Sequence, residues 1–279
     1  MERRLFGSTE HQVSVIGQGT WKIDTKDRRA AVSALRRGLD LGMQHIDTAE
    51  MYGGAEAIVA EAIAGRRDEV FLVSKVLPEN ASRLKTIVAC GKSLARLKTD
   101  RLDCYLLHWR GAHPLEETIA AFEQLRDDGM ILSWGVSNFD VPDLEEVRAI
   151  AGDGRLACNQ VLYHLRERAI EQRVLPWCQQ NGVAVVGYSP FGHGDFPDRR
   201  SPEGGVLHDI AQAHDATARQ VALRFLVRQP ALFAIPKAST PAHAAENAAA
   251  GALALTADEL ALIDRTFPLG PAPRELPSL

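Results

Sequence analysis

The chain has no uninterrupted apolar run of about 18 residues, the length that a membrane-spanning helix needs. Its charged start, "MERRLFGSTEHQVSVIG", lacks the apolar stretch of roughly 7–15 residues that forms the centre of a secretory leader. A cytoplasmic location with no membrane partner is the expectation. Positive charge is not in excess either: the formal net charge is −4. This gives no basic field for nucleic acid and points to a small-molecule partner. No C-x-x-C pair occurs among Cys90, Cys104, Cys158 and Cys178, and Cys104 sits inside the apolar run "LDCYLL". Such scatter holds no metal-binding or redox motif and predicts buried, reduced thiols. "GQGTW" at 17–21 does not continue into the G-x-G-x-x-G turn of a Rossmann fold, and is read as a barrel loop. Low-complexity blocks, long linkers and sequence repeats are also missing.

What is present is an alternation of two patterns. "SVIGQGTW", "MQHIDTA", "VFLVSKV", "RLDCYLLH", "ILSWGVSN", "ACNQVLY", "VAVVGYSP" and "LFAIPKA" read as strands. Between them lie amphipathic helical stretches such as "DRRAAVSALRRGLDLG", "RLKTIVACGKSLARLK" and "ATARQVALRFLVRQ", several closed by glycine. Near-continuous apolar strands alternating with helices indicate a parallel sheet covered on its outer face, and eight such units close a barrel. The expected fold is an α/β (β/α)8 TIM barrel, one domain over residues 1–279. An N-terminal hairpin ("RRLF" and "QVSVI") and an extra C-terminal helix ("TADELALIDRTF") complete it.

In such barrels chemistry sits at the C-terminal ends of the strands. Asp47 ends "MQHID", Lys75 ends "FLVSK", His108 ends "CYLLH", and Tyr52 follows on the loop after Asp47. Burying charges is costly unless they are paired, and Asp47 with Lys75 supply the pair. A tyrosine is protonated at neutral pH, and a nearby ammonium stabilises its phenolate. Tyr52 is therefore the candidate general acid, with Lys75 expected to depress its pKa and Asp47 to hold Lys75. Neutral His108 would donate a hydrogen bond to a substrate oxygen. The set has no obvious nucleophile, so reduction of a carbonyl by an external hydride suits it better than hydrolysis. His45 and Glu50 share the turn but are expected to serve structure.

"HIDTAEMYGG", "VSKV", "LLHW", "GVSNF", "NQVLYH", "GYSPFG" and "IPKAST" also resemble, in order and spacing, the aldo-keto reductase family over nearly the whole chain, in particular its bacterial aldehyde and methylglyoxal reductases. The resemblance implies that Asp47, Tyr52, Lys75 and His108 form the catalytic tetrad of an NADPH-dependent oxidoreductase. It implies that Ser137, Asn138 and Gln160 bind the nicotinamide carboxamide and that Tyr188 stacks on the ring. Ser189, Phe191 and Gly192 would lie near the pyrophosphate, and Lys237, Ser239, Glu246 and Asn247 near the adenosine half. Gly19, Thr20 and Trp21 match a segment beside cofactor and substrate, and Trp21 and Trp109 would join Tyr52 and His108 around the substrate. Many family members that prefer NADPH grip its 2′-phosphate with a lysine and an arginine six residues later. Here the pair is Lys237 and His243. A histidine lacks the permanent planar fork of arginine, so NADPH is expected to be preferred over NADH by a smaller margin.

Two other readings compete. A metal-dependent barrel hydrolase could use His45, Asp47 and His108 as ligands, and a cofactor-sensing regulatory module could keep the fold with little turnover. The placement of Tyr52 and Lys75 argues against the first and the intact set Asp47, Tyr52, Lys75 and His108 against the second, and no metal is expected. The short tail "APRELPSL" suggests an open pocket for small aldehydes, oxo-aldehydes or ketones, and a monomer is the family default.

Overall fold

A computed structural model describes residues 1–25 and 27–279. The chain opens with the predicted hairpin, strands β1 (Arg3–Leu5) and β2 (Gln12–Ser14), paired antiparallel with Arg3 opposite Ser14. Its turn lies against the barrel floor. Gly7 has φ +57°, and a Cβ there would stand 1.9 Å from the Ala157 carbonyl oxygen, so only glycine fits. The neighbouring Phe6 is fully buried and packs its ring against Phe71 and Phe233.

Eight parallel strands follow in chain order: β3 (Gln18–Gly19), β4 (His45–Asp47), β5 (Phe71–Val76), β6 (Leu102–Leu107), β7 (Ile131–Ser137), β8 (Leu156–Leu162), β9 (Ala184–Tyr188) and β10 (Leu232–Ala234). Each pairs with its sequence neighbour. The barrel closes where Ile16 bridges Ala234 and Gly19 bridges Lys237, with Gly17 N–H donating to the Ala234 carbonyl at 2.8 Å. Every residue of β5 and β6 is buried. One face meets the surrounding helices and the other fills the interior, which is why these sequences run apolar without alternating.

Helices α1 (Arg28–Asp40), α2 (Ala55–Ile63), α3 (Arg83–Leu97), α4 (Leu115–Asp127), α5 (Val141–Ala151) and α6 (Val174–Gln180) follow β3 to β8 in turn. After β9 the chain makes two helices, α7 (Pro202–Ala213) and α8 (Ala218–Leu226), where the sequence pattern predicts only the second. The Gly204–Gly205 pair in "PEGGVLHDIAQA" hides α7. Ser201 nevertheless caps it, accepting from Gly204 N–H at 3.0 Å. Gly204 is required there, because a Cβ would meet the Asp198 carbonyl oxygen at 1.9 Å. Helix α9 (Pro241–Ala249) follows β10, and α10 (Ala257–Thr266) is the predicted extra helix, started by a Thr256/Glu259 capping box. It is fastened to the loop after α7 by a 2.7 Å contact from His214 Nε2 to Glu259 Oε1. All four cysteines are buried and unpaired. Among the described residues no helix is long and apolar enough to cross a membrane.

Candidate active site

The C-terminal ends of the strands surround a cavity of about 340 Å³, within the usual size of a small-molecule site. At its base the ends of β4 and β5 bring Asp47 and Lys75 together. Lys75 Nζ lies 2.5 Å from Asp47 Oδ1 and donates a second hydrogen bond to the Thr48 carbonyl at 2.9 Å. Asp47 Oδ2 accepts from Gln160 Nε2 at 2.7 Å, and the Asp47 backbone carbonyl accepts from Thr20 Oγ1 at 2.9 Å. Lys75 is fully buried and Asp47 is 1% exposed. The ammonium lies 5.0 Å from the centre of the Tyr52 ring, and that ring meets His108 edge to face at 5.6 Å. Four groups drawn from different strand ends and one loop thus meet at one spot.

Their electrostatics follow from burial. Desolvation works against the Lys75 charge, but Asp47 and Tyr52 outweigh it, and the Lys75 pKa lies above its ordinary value. His108 is pulled down to about 3, by burial first and by the Lys75 charge second, so it is neutral at physiological pH. Its Nδ1 is buried without a hydrogen-bond partner among the described residues. A buried bare lone pair is easier to accommodate than an orphaned N–H, so the ring proton belongs on Nε2, ready to be donated. The expected depression of the Tyr52 pKa is corrected. Lys75 does act downward, yet burial is the largest influence and raises it, with Asp47 adding to the rise. The Asp47 charge offsets part of the field that Lys75 exerts on the phenol.

The opposite wall is a hydrogen-bonded relay. Ser137 Oγ and Asn138 N–H both donate to the Gln160 carbonyl at 2.8 Å. Asn138 Nδ2 donates to the His108 carbonyl at 3.1 Å, and Asn138 Oδ1 accepts from the Tyr188 hydroxyl at 2.9 Å. Backbone strain gathers here: Lys22, Asn138 and Ser189 all have positive φ (57°, 62° and 52°), and all three line the cavity. Non-glycine residues held in this region cluster at functional sites. Gln160 lines the cavity with its Nε2 committed to Asp47, which leaves Oε1 as the side-chain atom to accept from a ligand amide. With the half-buried Tyr188 ring beside it, this wall has the donor and acceptor set that a flat, carboxamide-bearing ring requires.

Gly19, Thr20, Trp21, Trp109, Phe191, Gly192 and Lys237, named above through the family resemblance, also line the cavity. Ser239, His243, Glu246 and Asn247 do not. His243, Glu246 and Asn247 lie on α9, where Glu246 accepts a hydrogen bond from Thr217 at 2.8 Å, and Ser239 lies between β10 and α9. His45 lies inside the barrel, fully buried beside Phe6 and Phe71, and neither ring nitrogen has a partner among the described residues. Glu50 accepts from Leu77 N–H at 2.6 Å and from Asn80 Nδ2 at 3.0 Å, fixing the loop after β5. Among the described residues no cluster of His, Cys, Asp and Glu is arranged to hold a metal ion.

Sequence reasoning missed Lys22, Met51, Pro190, His193, Ile235 and Leu279 as cavity residues. Lys22 and Met51 adjoin Trp21 and Tyr52 and could have been found by adjacency. His193 arrives only through the fold of the loop after β9, where it lies 5.3 Å from Trp21. Leu279, the last residue of the tail, also lines the cavity, and its N–H donates to the Tyr188 hydroxyl at 3.3 Å.

Comparison with known proteins agrees with this geometry. Residues 15–267 match the model of the Aldo/keto reductase family. The chain is 47% identical over 271 residues to methylglyoxal reductase YeaE of Escherichia coli (strain K12), covering 96% of this chain and 95% of that protein. An aldo/keto reductase from Klebsiella pneumoniae, solved in complex with NADP and acetate, superposes with a TM-score of 0.92 at 42% identity, covering 100% of both chains. An aldo-keto reductase from the same organism in complex with NADPH gives a TM-score of 0.92 at 43% identity, covering 100% of this chain and 99% of that one.

Proposed function

The chain belongs to the aldo/keto reductase family, and we propose that it reduces small aldehydes, oxo-aldehydes such as methylglyoxal, and small ketones to alcohols with NADPH. NADH is the weaker alternative. When bound, the reduced nicotinamide supplies hydride to the carbonyl carbon. Ser137, Asn138 and Gln160 would hold its carboxamide and Tyr188 its ring face. Everything else in the reaction falls to the chain's own side chains.

His108 orients the substrate oxygen by donating from Nε2. Tyr52 delivers the proton to the developing alkoxide, a role open to it because burial keeps the phenol protonated. Lys75 stabilises the phenolate left behind, and Asp47, steadied by Gln160, keeps Lys75 in place. Trp21, Met51 and Trp109 give the mouth apolar walls that shed water from a small substrate. The observation that carries this reading is Lys75 itself. A fully buried ammonium, paired with a carboxylate and set under a phenol beside a neutral imidazole, has little use in a barrel mouth except to manage a proton.

The protein acts as a cytoplasmic monomer in this reading, with residues 1–279 as one catalytic domain. A panel of carbonyls including methylglyoxal, assayed with NADPH and with NADH, tests it. Turnover of several small aldehydes with NADPH ahead of NADH is expected. Cofactor binding with no turnover of any carbonyl would leave a sensing module instead.

A further inference from the structure

Phe191, Gly192 and Lys237 line the cavity, and against Phe191 stands a charged residue that the proton chemistry does not use. Arg219, in the first turn of α8, places its guanidinium 5.3 Å from the centre of the Phe191 ring and 5.4 Å from that of Phe196. The two rings meet edge to face at 5.8 Å, so together they form an aromatic shelf under the cation. The acidic groups of the adjoining segment are engaged elsewhere: Asp195 pairs with Arg166 at 2.5 Å, and Asp198 accepts from Arg200 N–H at 2.8 Å. Arg228, by contrast, stacks on Phe225 and also pairs with Glu171 at 2.6 Å. Among the described residues no carboxylate lies within ion-pair distance of Arg219, and its guanidinium rests against Phe191, which lines the cavity.

The start of α8 is also tied to the first turns of α9. Thr217 Oγ1 donates to Glu246 Oε1 at 2.8 Å, and Gln220 Nε2 donates to the Glu246 carbonyl at 2.9 Å. His243 lies one helical turn before Glu246. The helix that carries Arg219 is thus fastened to the helix that carries His243, and Lys237 lies in the segment that leads into the latter.

We propose that Arg219 is the guanidinium that binds the 2′-phosphate of NADPH, supplying from α8 what an arginine at position 243 would supply from α9. The assignment rests on the NADPH reading above and names a residue for its preference. A guanidinium held against aromatic rings and paired with no carboxylate has N–H groups to spare, and its planar fork matches phosphate oxygens two at a time. The shelf also fixes the fork before the ligand arrives, which reduces the side-chain ordering that binding must impose.

Quenching of Trp21 and Trp109 fluorescence gives dissociation constants for NADPH and NADH without turnover. Arg219 is exposed, and Arg219→Gln keeps a helix-compatible side chain, so the variant should fold. Arg219→Gln should weaken NADPH binding by about 10- to 100-fold, the range for losing charge-assisted hydrogen bonds, and NADH by less than about 2-fold. Arg219→Lys should keep part of the preference. Equal weakening of both cofactors, which a mere prop for Phe191 would produce, overturns the proposal, as does unchanged NADPH binding. Both results leave the reductase reading standing. A parent protein that binds neither dinucleotide would overturn that reading and this assignment together.

Discussion

Lys75 Nζ lies 2.5 Å from Asp47 Oδ1 at the base of the cavity, and both side chains are shut away from solvent. Removing one partner of such a pair strands the other, which typically costs about 3–5 kcal/mol. Lys75→Met should therefore lower stability as well as rate, and it removes the one cationic influence that draws the Tyr52 pKa down. The sign is fixed. Alcohol oxidation needs the phenolate, whose fraction grows as pH rises through the Tyr52 pKa, so its rising limb should move to higher pH in the variant. An unmoved limb in a folded variant would separate Lys75 from the proton donor.

Tyr52→Phe keeps the ring that meets His108 and deletes only the hydroxyl. Carbonyl reduction should fall by about two or more orders of magnitude, the range for losing a general acid. NADPH binding, followed by fluorescence, should persist. Retention of full reductase activity would remove Tyr52 from the reaction.

His108, at about 3, stays neutral through the physiological range. The reduction rate should accordingly show no histidine-like step around pH 6 to 7. Such a step, abolished by His108→Asn in a variant that still binds NADPH, would mean that the ring works as a cation.

Glu50 supplies one oxygen to two donors of the loop after β5, Leu77 N–H and Asn80 Nδ2. Glu50→Ala leaves both without that acceptor and should destabilise the protein by about 1–3 kcal/mol. The pH dependence set by Tyr52 and Lys75 should stay as in the parent. Thermal melts beside a pH profile check both halves, and an unchanged melting temperature would show that the loop does not depend on Glu50.

Strand ends were the most legible part of the sequence. Asp47, Lys75 and His108 could be placed because each closes a short apolar run, and the barrel geometry then sends all three to one mouth. Helix α7 was not legible, since Gly204 looks like a helix breaker until the Asp198 carbonyl is seen pressing on it. His193 and Leu279 reach the cavity through irregular chain, whose path carries no periodicity to read. The net direction of the Tyr52 shift depends on how far Asp47 offsets Lys75, a matter of distances rather than residue types. Arg219 looked like an ordinary exposed helix residue because its meaning comes from Phe191 and Phe196, both far off in sequence.

The remaining prediction concerns His45, which shares a strand face with Asp47 at i, i+2 but sits deeper in the barrel. Its ring meets Phe6 at 82° and Phe71 at 89°, both at 5.7 Å between centroids, and neither nitrogen has a partner among the described residues. Burial pulls its pKa from 6.5 down to about 4, with Lys75 adding to the fall and Asp47 opposing it. In the unfolded chain the same ring takes its proton near pH 6.5. Between these values the unfolded state binds a proton that the native state refuses, so stability is full above about pH 6.5 and drains away as pH falls towards 4. A shift of this size corresponds to about 3 kcal/mol. His108 acts in the same direction, so the test is a difference between proteins. Urea unfolding of the parent and of His45→Leu at neutral pH and near pH 4.5 should show the variant losing clearly less stability on acidification. Equal losses in the two proteins would mean that His45 takes its proton without opening the barrel.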